Sequence, residues 1–358
     1  MSYQDILPLF ALDGQVIQCG RYGSGHINET YLVVTNRPHL YILQKVNSHV
    51  FPDPKVLMEN IILVTEHIRA KEKDPRRALR LVPTKAGKPY LLLDDQEVWR
   101  VYEFITGSIC LDRAESPRDF EQSGIAFGAF QNQLEDFPAE KLKEVIPSFH
   151  DTPKRYLALR RAISENRANR VKLAQREIDF FLQREDSAGM LTRLLKNKEL
   201  PLRVAHNDTK LNNVMLDAET RAPLCVIDLD TVMPGLAASD FGDSIRFGAS
   251  TAAEDERNLE KVHFSLELYR VFAGGFLSVC GSKLTSLEKE TLPDGARLMT
   301  LECGVRFLTD YLDGDLYFHT ACPDHNLIRA RTQIALAGEM EARQGEMRRI
   351  IHSFRSFS

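Results

Sequence analysis

Two neighbouring stretches concentrate polar side chains between apolar runs: RVAHNDTKLNNVML at 203–216 and LCVIDLDTVMPG at 224–235. The first holds His206, Asp208, Lys210 and Asn213, and the second holds Asp228. The spacing H-x-D-x-x-x-x-N is that of a phosphoryl-transfer loop, in which the Asp accepts the substrate hydroxyl proton and the Asn binds Mg2+. A later carboxylate at a strand end binds the same cation, and Asp228 in VIDLD occupies that place. An amide oxygen and a carboxylate are hard donors suited to Mg2+, whose other ligands are water and ATP phosphate oxygens. Lys210, two residues beyond Asp208, is placed to offset charge on the transferred group.

Asp and Asn are ordinary turn residues, so the loop spacing alone carries little. Its weight comes from the paired strand ending in IDLD and from a glycine turn leading into a small sheet near the N-terminus. That turn supplies Gly23, Ser24 and Gly25 for close approach to phosphate, and the segment 101–105, with Glu103 and Ile105, is expected to offer backbone groups to adenine. The triplet Asp240, Phe241, Gly242 imitates the metal-binding D-F-G motif of kinases. It follows Pro234 and Gly235 and opens a helix, so Asp228 is preferred as the metal ligand. Asp240 is expected to hold the catalytic loop by accepting backbone N–H bonds, with His206 and Asp243 in support.

Strands with turns dominate the first hundred residues: RYGSGHINETYLVVT, LYILQKVN, and PYLLLDDQEVWRVYEFI folded at Asp94 and Asp95. Between them DPKVLMENIILVTEHIRAK has helical periodicity, starting at Asp53 and Pro54. Beyond Gly107 the periodicity is helical, with starts at Ser116 before Pro117 and at Asp151 or Thr152 before Pro153. The fold class is therefore α+β: a β-rich lobe at 1–104 and a larger, mostly helical lobe at 105–358.

The chain has 358 residues, 43% hydrophobic and 27% charged, with formal net charge −4. That balance argues against a dedicated nucleic-acid binder. No apolar run approaches the roughly 20 residues that span a bilayer, and the N-terminus lacks signal-peptide features. The six cysteines lie apart without a C-x-x-C pair, as expected of reduced thiols in a cytoplasmic protein, with neither zinc nor disulfides.

HNDTKLNN, VIDLDTVMPG and DFGDSIRFGAS together resemble the aminoglycoside phosphotransferase/choline kinase superfamily, and within it the N-acetylhexosamine 1-kinases. YGSGHINETYLV, YILQKVN, WRVYEFI, FHDTPKR, ECGVRFLTDYLDGDLYF and HNLIRARTQIAL fit in order, so the likeness covers nearly the whole chain. The resemblance implies a protein-kinase-like two-lobed fold and transfer of the γ-phosphate of ATP to the anomeric hydroxyl of N-acetylglucosamine or N-acetylgalactosamine, with Mg2+. It makes Asp208 the base, Asn213 and Asp228 metal ligands, and Asp208, His26, Phe247, Arg306 and Tyr317 substrate contacts. Two positions depart from the kinase pattern. Gln44 stands where the third strand's phosphate-gripping Lys is expected, leaving Lys45 to serve only if a bulge shifts the strand, or another cation to take the role. Asn28 replaces the third glycine of G-x-G-x-x-G. Glu59, on the following helix, matches the usual partner of that Lys.

The expected partners are ATP and a small sugar, without nucleic acid, membrane or protein partner. Two rivals remain: a kinase of another small hydroxyl compound, such as an amino alcohol or an aminoglycoside, and a pseudokinase that binds without turnover.

Overall fold

The computed structural model describes residues 2–23, 27–94 and 96–354. The chain divides into two compact units. One comprises Met1–Cys110, Asp136–Pro147 and Asn213–Pro234, and the other Leu111–Glu135, Ser148–Asn212 and Gly235–Ser358. A single boundary after 104 does not describe this division. The first unit recruits later chain because β6 (Ser108–Cys110) pairs with a hairpin more than a hundred residues further on.

The first unit is built on a five-stranded antiparallel sheet: β1 (Val16–Arg21), β2 (Glu29–Thr35), β3 (Leu40–Lys45), β4 (Leu91–Leu93) and β5 (Glu97–Glu103), in the order β1-β2-β3-β5-β4. Strand alternation sorts the two faces. Val33, Tyr41, Leu43, Trp99 and Val101 pack on one side with Ile6, Leu7 and Phe10. Gln44 and Arg100, paired across β3 and β5, take the opposite side. The helix Pro54–Lys71 starts where expected: Asp53 accepts the N–H groups of Lys55 and Val56. It buries Leu57, Met58, Ile61, Val64 and Ile68.

The second unit contains β7 (Arg203–Ala205) and most of the helices. Ser116 and Asp119 form the reciprocal cap of the helix Pro117–Gln133, and Asp151 caps Thr152–Glu165. The helices Ala237–Gly248 and Ser286–Asp313 touch backbone to backbone. A Cβ on Gly242 would lie 2.3 Å from the Gly295 carbonyl oxygen, and one on Gly295 would lie 2.1 Å from that of Ala238. Only glycine admits this approach, which seats Asp240 and Asp243 on a helix packed against the one carrying Glu302 and Arg306. Among the described residues no helix is long and apolar enough to cross a membrane. Cys225 and Cys280 are buried and Cys110 is exposed.

Candidate active site

In the first unit, β8 (Val214–Asp217) and β9 (Pro223–Val226) form an antiparallel hairpin extended by β6. Val214 pairs with Val226, and the Ile227 N–H donates to the Asn213 carbonyl at 2.8 Å. Asn213 and Asp228 thus stand at the same end of the hairpin. Asp228 has a left-handed φ of 58°, a conformation that costs a non-glycine residue about 1 kcal/mol and persists where neighbours enforce it. The donor set fits Mg2+: two hard oxygens from adjacent chain segments suffice when phosphates and water complete the shell. Among the described residues no group of three or more His, Cys, Asp or Glu could hold a metal by itself. Asp230, two residues on, is buried.

The β3 ladder is regular through Lys45, which pairs with Glu29 on one side and Trp99 on the other. No bulge turns Lys45 to the Gln44 face. Its Nζ lies 3.1 Å from Glu97 and over the Trp99 ring at 5.5 Å, on the face opposite Gln44. Glu59 is likewise committed elsewhere, at 2.7 Å from Lys143 Nζ on an exposed surface. The buried cation on the Gln44 face is Arg100, which sequence reading missed. Its Nε donates to Gln44 Oε1 at 2.9 Å, and its Nη1 lies 2.6 Å from Asp230 Oδ1. Burial works against its charge, and Asp230 more than offsets that, so the guanidinium pKa rises. Gly23 has a left-handed φ of 78°. Ser24, Gly25 and His26 lie outside the described residues. Glu103 ends β5, its N–H donating to the Arg80 carbonyl at 2.9 Å, and the Ile105 carbonyl accepts the Ser108 hydroxyl at 2.6 Å.

In the second unit the loop after β7 is held by two buried carboxylates. Asp240 accepts the backbone N–H groups of His206 (2.8 Å) and Asn207 (2.9 Å) and the Gln131 amide (3.0 Å). Burial pushes the Asp240 carboxyl above its ordinary value, and the N–H donors hold it back. Asp243 accepts the Thr209 N–H at 3.0 Å and is clasped by Arg246 at 2.9 and 3.0 Å. Burial raises the Asp243 carboxyl, and Arg246, Lys210 and His150 outweigh it, so it lies below the carboxylate norm. The fully buried His206 ring meets Phe127 and Phe130 edge-on and faces the Asp208 N–H at 3.3 Å.

On this held loop Lys210 Nζ lies 2.9 Å from Asp208 Oδ1, with both side chains about a third exposed (34% and 28%). Burial lowers the Lys210 ammonium, but Asp208 reverses the sign and its pKa is raised. His150 is a further loop holder: its Nδ1 sits 2.7 Å from Glu302 and its Nε2 3.4 Å from the Asn207 carbonyl. Asp151 caps the following helix, and no local signal points from His150 to a carboxylate 152 residues away.

Arg306 lies among three rings, those of Phe149 (5.5 Å), Phe318 (5.4 Å) and Tyr317 (5.9 Å). Asp310 does not pair with it. That carboxylate receives the backbone N–H groups of Leu316, Tyr317 and Phe318 at 2.8–3.0 Å, which orders the ring-bearing loop. Arg155 lies nearby: burial, then the Arg306 charge, depresses its guanidinium pKa, and its buried Nε has no hydrogen-bond partner among the described residues. Phe247 is in a different place, lining a cavity of about 430 Å³ with Asp112, Glu115, Leu211, Ser250 and Gln333.

Residues 19–274, more than half of the chain, match the phosphotransferase enzyme family. The chain belongs to that family. This phosphotransferase also shares its fold with solved structures. An aminoglycoside phosphotransferase from Alicyclobacillus acidocaldarius is 14% identical, with TM-score 0.64 over 99% of this chain and 97% of that one. A microcompartment-associated aminopropanol kinase is 16% identical, with TM-score 0.61 over 97% and 98%. An amicoumacin kinase in complex with AMP-PNP and Ca2+ is 16% identical, with TM-score 0.59 over 95% and 92%. The phosphotransferase therefore has the α+β, kinase-like fold, with a β-sheet lobe and a helical lobe.

Proposed function

We propose that this phosphotransferase transfers the γ-phosphoryl group of ATP to the anomeric hydroxyl of N-acetylglucosamine or N-acetylgalactosamine, giving the sugar 1-phosphate and ADP. The observation that carries the reading is the Asp208 carboxylate, partly exposed beside the Lys210 ammonium on a loop pinned by Asp240 and Asp243. The sugar oxygen attacks the γ-phosphorus while the bond to the β-phosphate oxygen breaks, its electron pair leaving on ADP. The hydroxyl proton passes to Asp208. A hemiacetal hydroxyl is more acidic than an ordinary alcohol, so Asp208 chiefly orients it and collects the proton late. Most of the acceleration then comes from alignment and charge compensation. Lys210 keeps its charge and offsets that of the transferred group. Asn213 and Asp228 would hold Mg2+, which compensates charge on the β- and γ-phosphate oxygens when bound.

The acceptor reading is supported by Arg306. Its three rings, and Arg155 nearby, suit a neutral sugar that presents hydroxyls and an acetamido carbonyl to N–H donors and ring faces. An ammonium-bearing acceptor would meet two guanidinium groups, which disfavours the amino-alcohol alternative raised by the aminopropanol kinase likeness. Incubation with ATP, Mg2+ and, separately, each acetamido sugar and aminopropanol tests the assignment. An acid-labile sugar phosphate is expected. An acid-stable ester moves the reaction to another hydroxyl, and turnover confined to aminopropanol sinks the sugar reading. Retained nucleotide binding without any turnover makes the protein a binding module.

A further inference from the structure

The two departures from the kinase pattern, Gln44 and Asn28, meet at one buried ion pair. Arg100 on β5 is 1% exposed and lies opposite Gln44 in the sheet. Gln44 Oε1 accepts from Arg100 Nε at 2.9 Å, while Gln44 Nε2 donates to Thr30 Oγ1 at 3.1 Å. Arg100 Nη1 then contacts Asp230 Oδ1 at 2.6 Å, and the other Asp230 oxygen accepts from Asn28 Nδ2 at 2.6 Å. Asn28 Oδ1 takes the Asn47 N–H at 3.0 Å, tying the chain after the glycine turn to the end of β3. Every member of this chain of contacts belongs to the first unit.

In an ordinary kinase a Lys on the third strand pairs with a Glu on the following helix. Here Lys45 is held by Glu97 on the opposite face and Glu59 by Lys143. Asp230 sits in the tight turn Leu229–Thr231, directly after Asp228. Asp228 is in the left-handed conformation, so its carboxylate direction depends on what anchors the turn beyond it. Arg100 and Asn28 are two of those anchors. Arg100 also brings a positive charge onto Asp230 and within electrostatic reach of Asp228, two residues away, which limits the mutual repulsion of the two carboxylates.

We propose that Arg100 is a positioning residue for the metal ligand Asp228, acting through Asp230, and that Gln44 and Asn28 are the substitutions that accommodate it. The pair of Arg100 and Asp230 takes over the anchoring task of the absent Lys and Glu pair. Orientation is set at the metal strand itself rather than on the helix. A lysine at position 100 would not reproduce the arrangement, because only the planar fork of Arg offers one N–H to Gln44 and another nitrogen to Asp230.

This inference rests on the ATP and Mg2+ reading above, and its test is a binding measurement. Binding of a fluorescent ATP analogue to the full chain is titrated with Mg2+ for wild type, Arg100→Lys and the double variant Arg100→Met/Asp230→Leu. The double variant leaves no lone buried charge, and replacing a buried ion pair by packed apolar groups is commonly neutral for stability. The expected result is a melting temperature close to wild type with at least a tenfold rise in the Mg2+ concentration for half-maximal binding. Metal-free analogue affinity should change less than twofold. Arg100→Lys should show a several-fold rise in the same quantity and decides the matter alone if the double variant does not fold. Unchanged Mg2+ dependence in folded variants makes the pair merely structural and overturns the inference. Wild-type protein that binds no nucleotide with Mg2+ overturns the functional reading instead.

Discussion

The Asp240 carboxylate receives the His206 backbone N–H at 2.8 Å and, through its second oxygen, that of Asn207 at 2.9 Å. The literal D-F-G triplet is thus a brace for the loop carrying Asp208. Asp240→Ala should cost about 3 kcal/mol, since it leaves buried N–H donors without a charged acceptor. Asp228→Ala should leave the melting temperature within a few degrees of wild type and abolish Mg2+-dependent nucleotide binding. Denaturant unfolding and nucleotide titration on both variants check the contrast, and the reverse pattern would exchange the two roles.

Asp208→Asn keeps the size of the side chain and loses the proton acceptor. Turnover with ATP and sugar should fall roughly 10²–10⁴-fold, the usual worth of a positioned base, while nucleotide affinity stays within about twofold. Near-normal kcat in steady-state assays removes Asp208 from proton transfer.

His150 gives stability a specific pH dependence. Burial lowers its pKa, Glu302 more than reverses that, and the folded value lies above the ordinary one. A raised histidine pKa stabilises fully below the unfolded value, about 6.5, and that contribution disappears as pH rises through the folded value. His150→Gln should therefore flatten the decline of melting temperature on the alkaline side of about pH 6.5. His263 is also raised, beside Glu339, but is largely exposed; His263→Gln serves as the control, with a much smaller effect.

Arg306→Lys retains charge and loses the flat guanidinium that lies among Phe149, Tyr317 and Phe318. The expected result is a sugar KM raised about tenfold, equivalent to roughly 1.4 kcal/mol of lost cation–π and hydrogen-bond energy, with KM for ATP unchanged. Steady-state kinetics with each substrate varied in turn separates the two. A rise in KM for ATP alone would move Arg306 away from the acceptor.

Helix starts at Asp53, Ser116 and Asp151 were legible because capping is written within three or four residues of chain. Alternation in YILQKVN likewise placed Gln44 and Lys45 on opposite faces, and the hairpin ending in IDLD located Asn213 and Asp228. The bracing role of Asp240 could be read from its helix-opening position.

Local pattern did not reveal the partners of buried charges. Nothing near Gln44 points to Arg100 as the cation on that face, nothing near Asp230 names Asn28, and His150 meets Glu302 across 152 residues. The sequence by itself determined where strands and helices begin and which polar residues gather at their ends, since backbone geometry acts over a few residues. Only the tertiary structure decided which charges neutralise one another, because that depends on which distant segments are desolvated together when the chain packs.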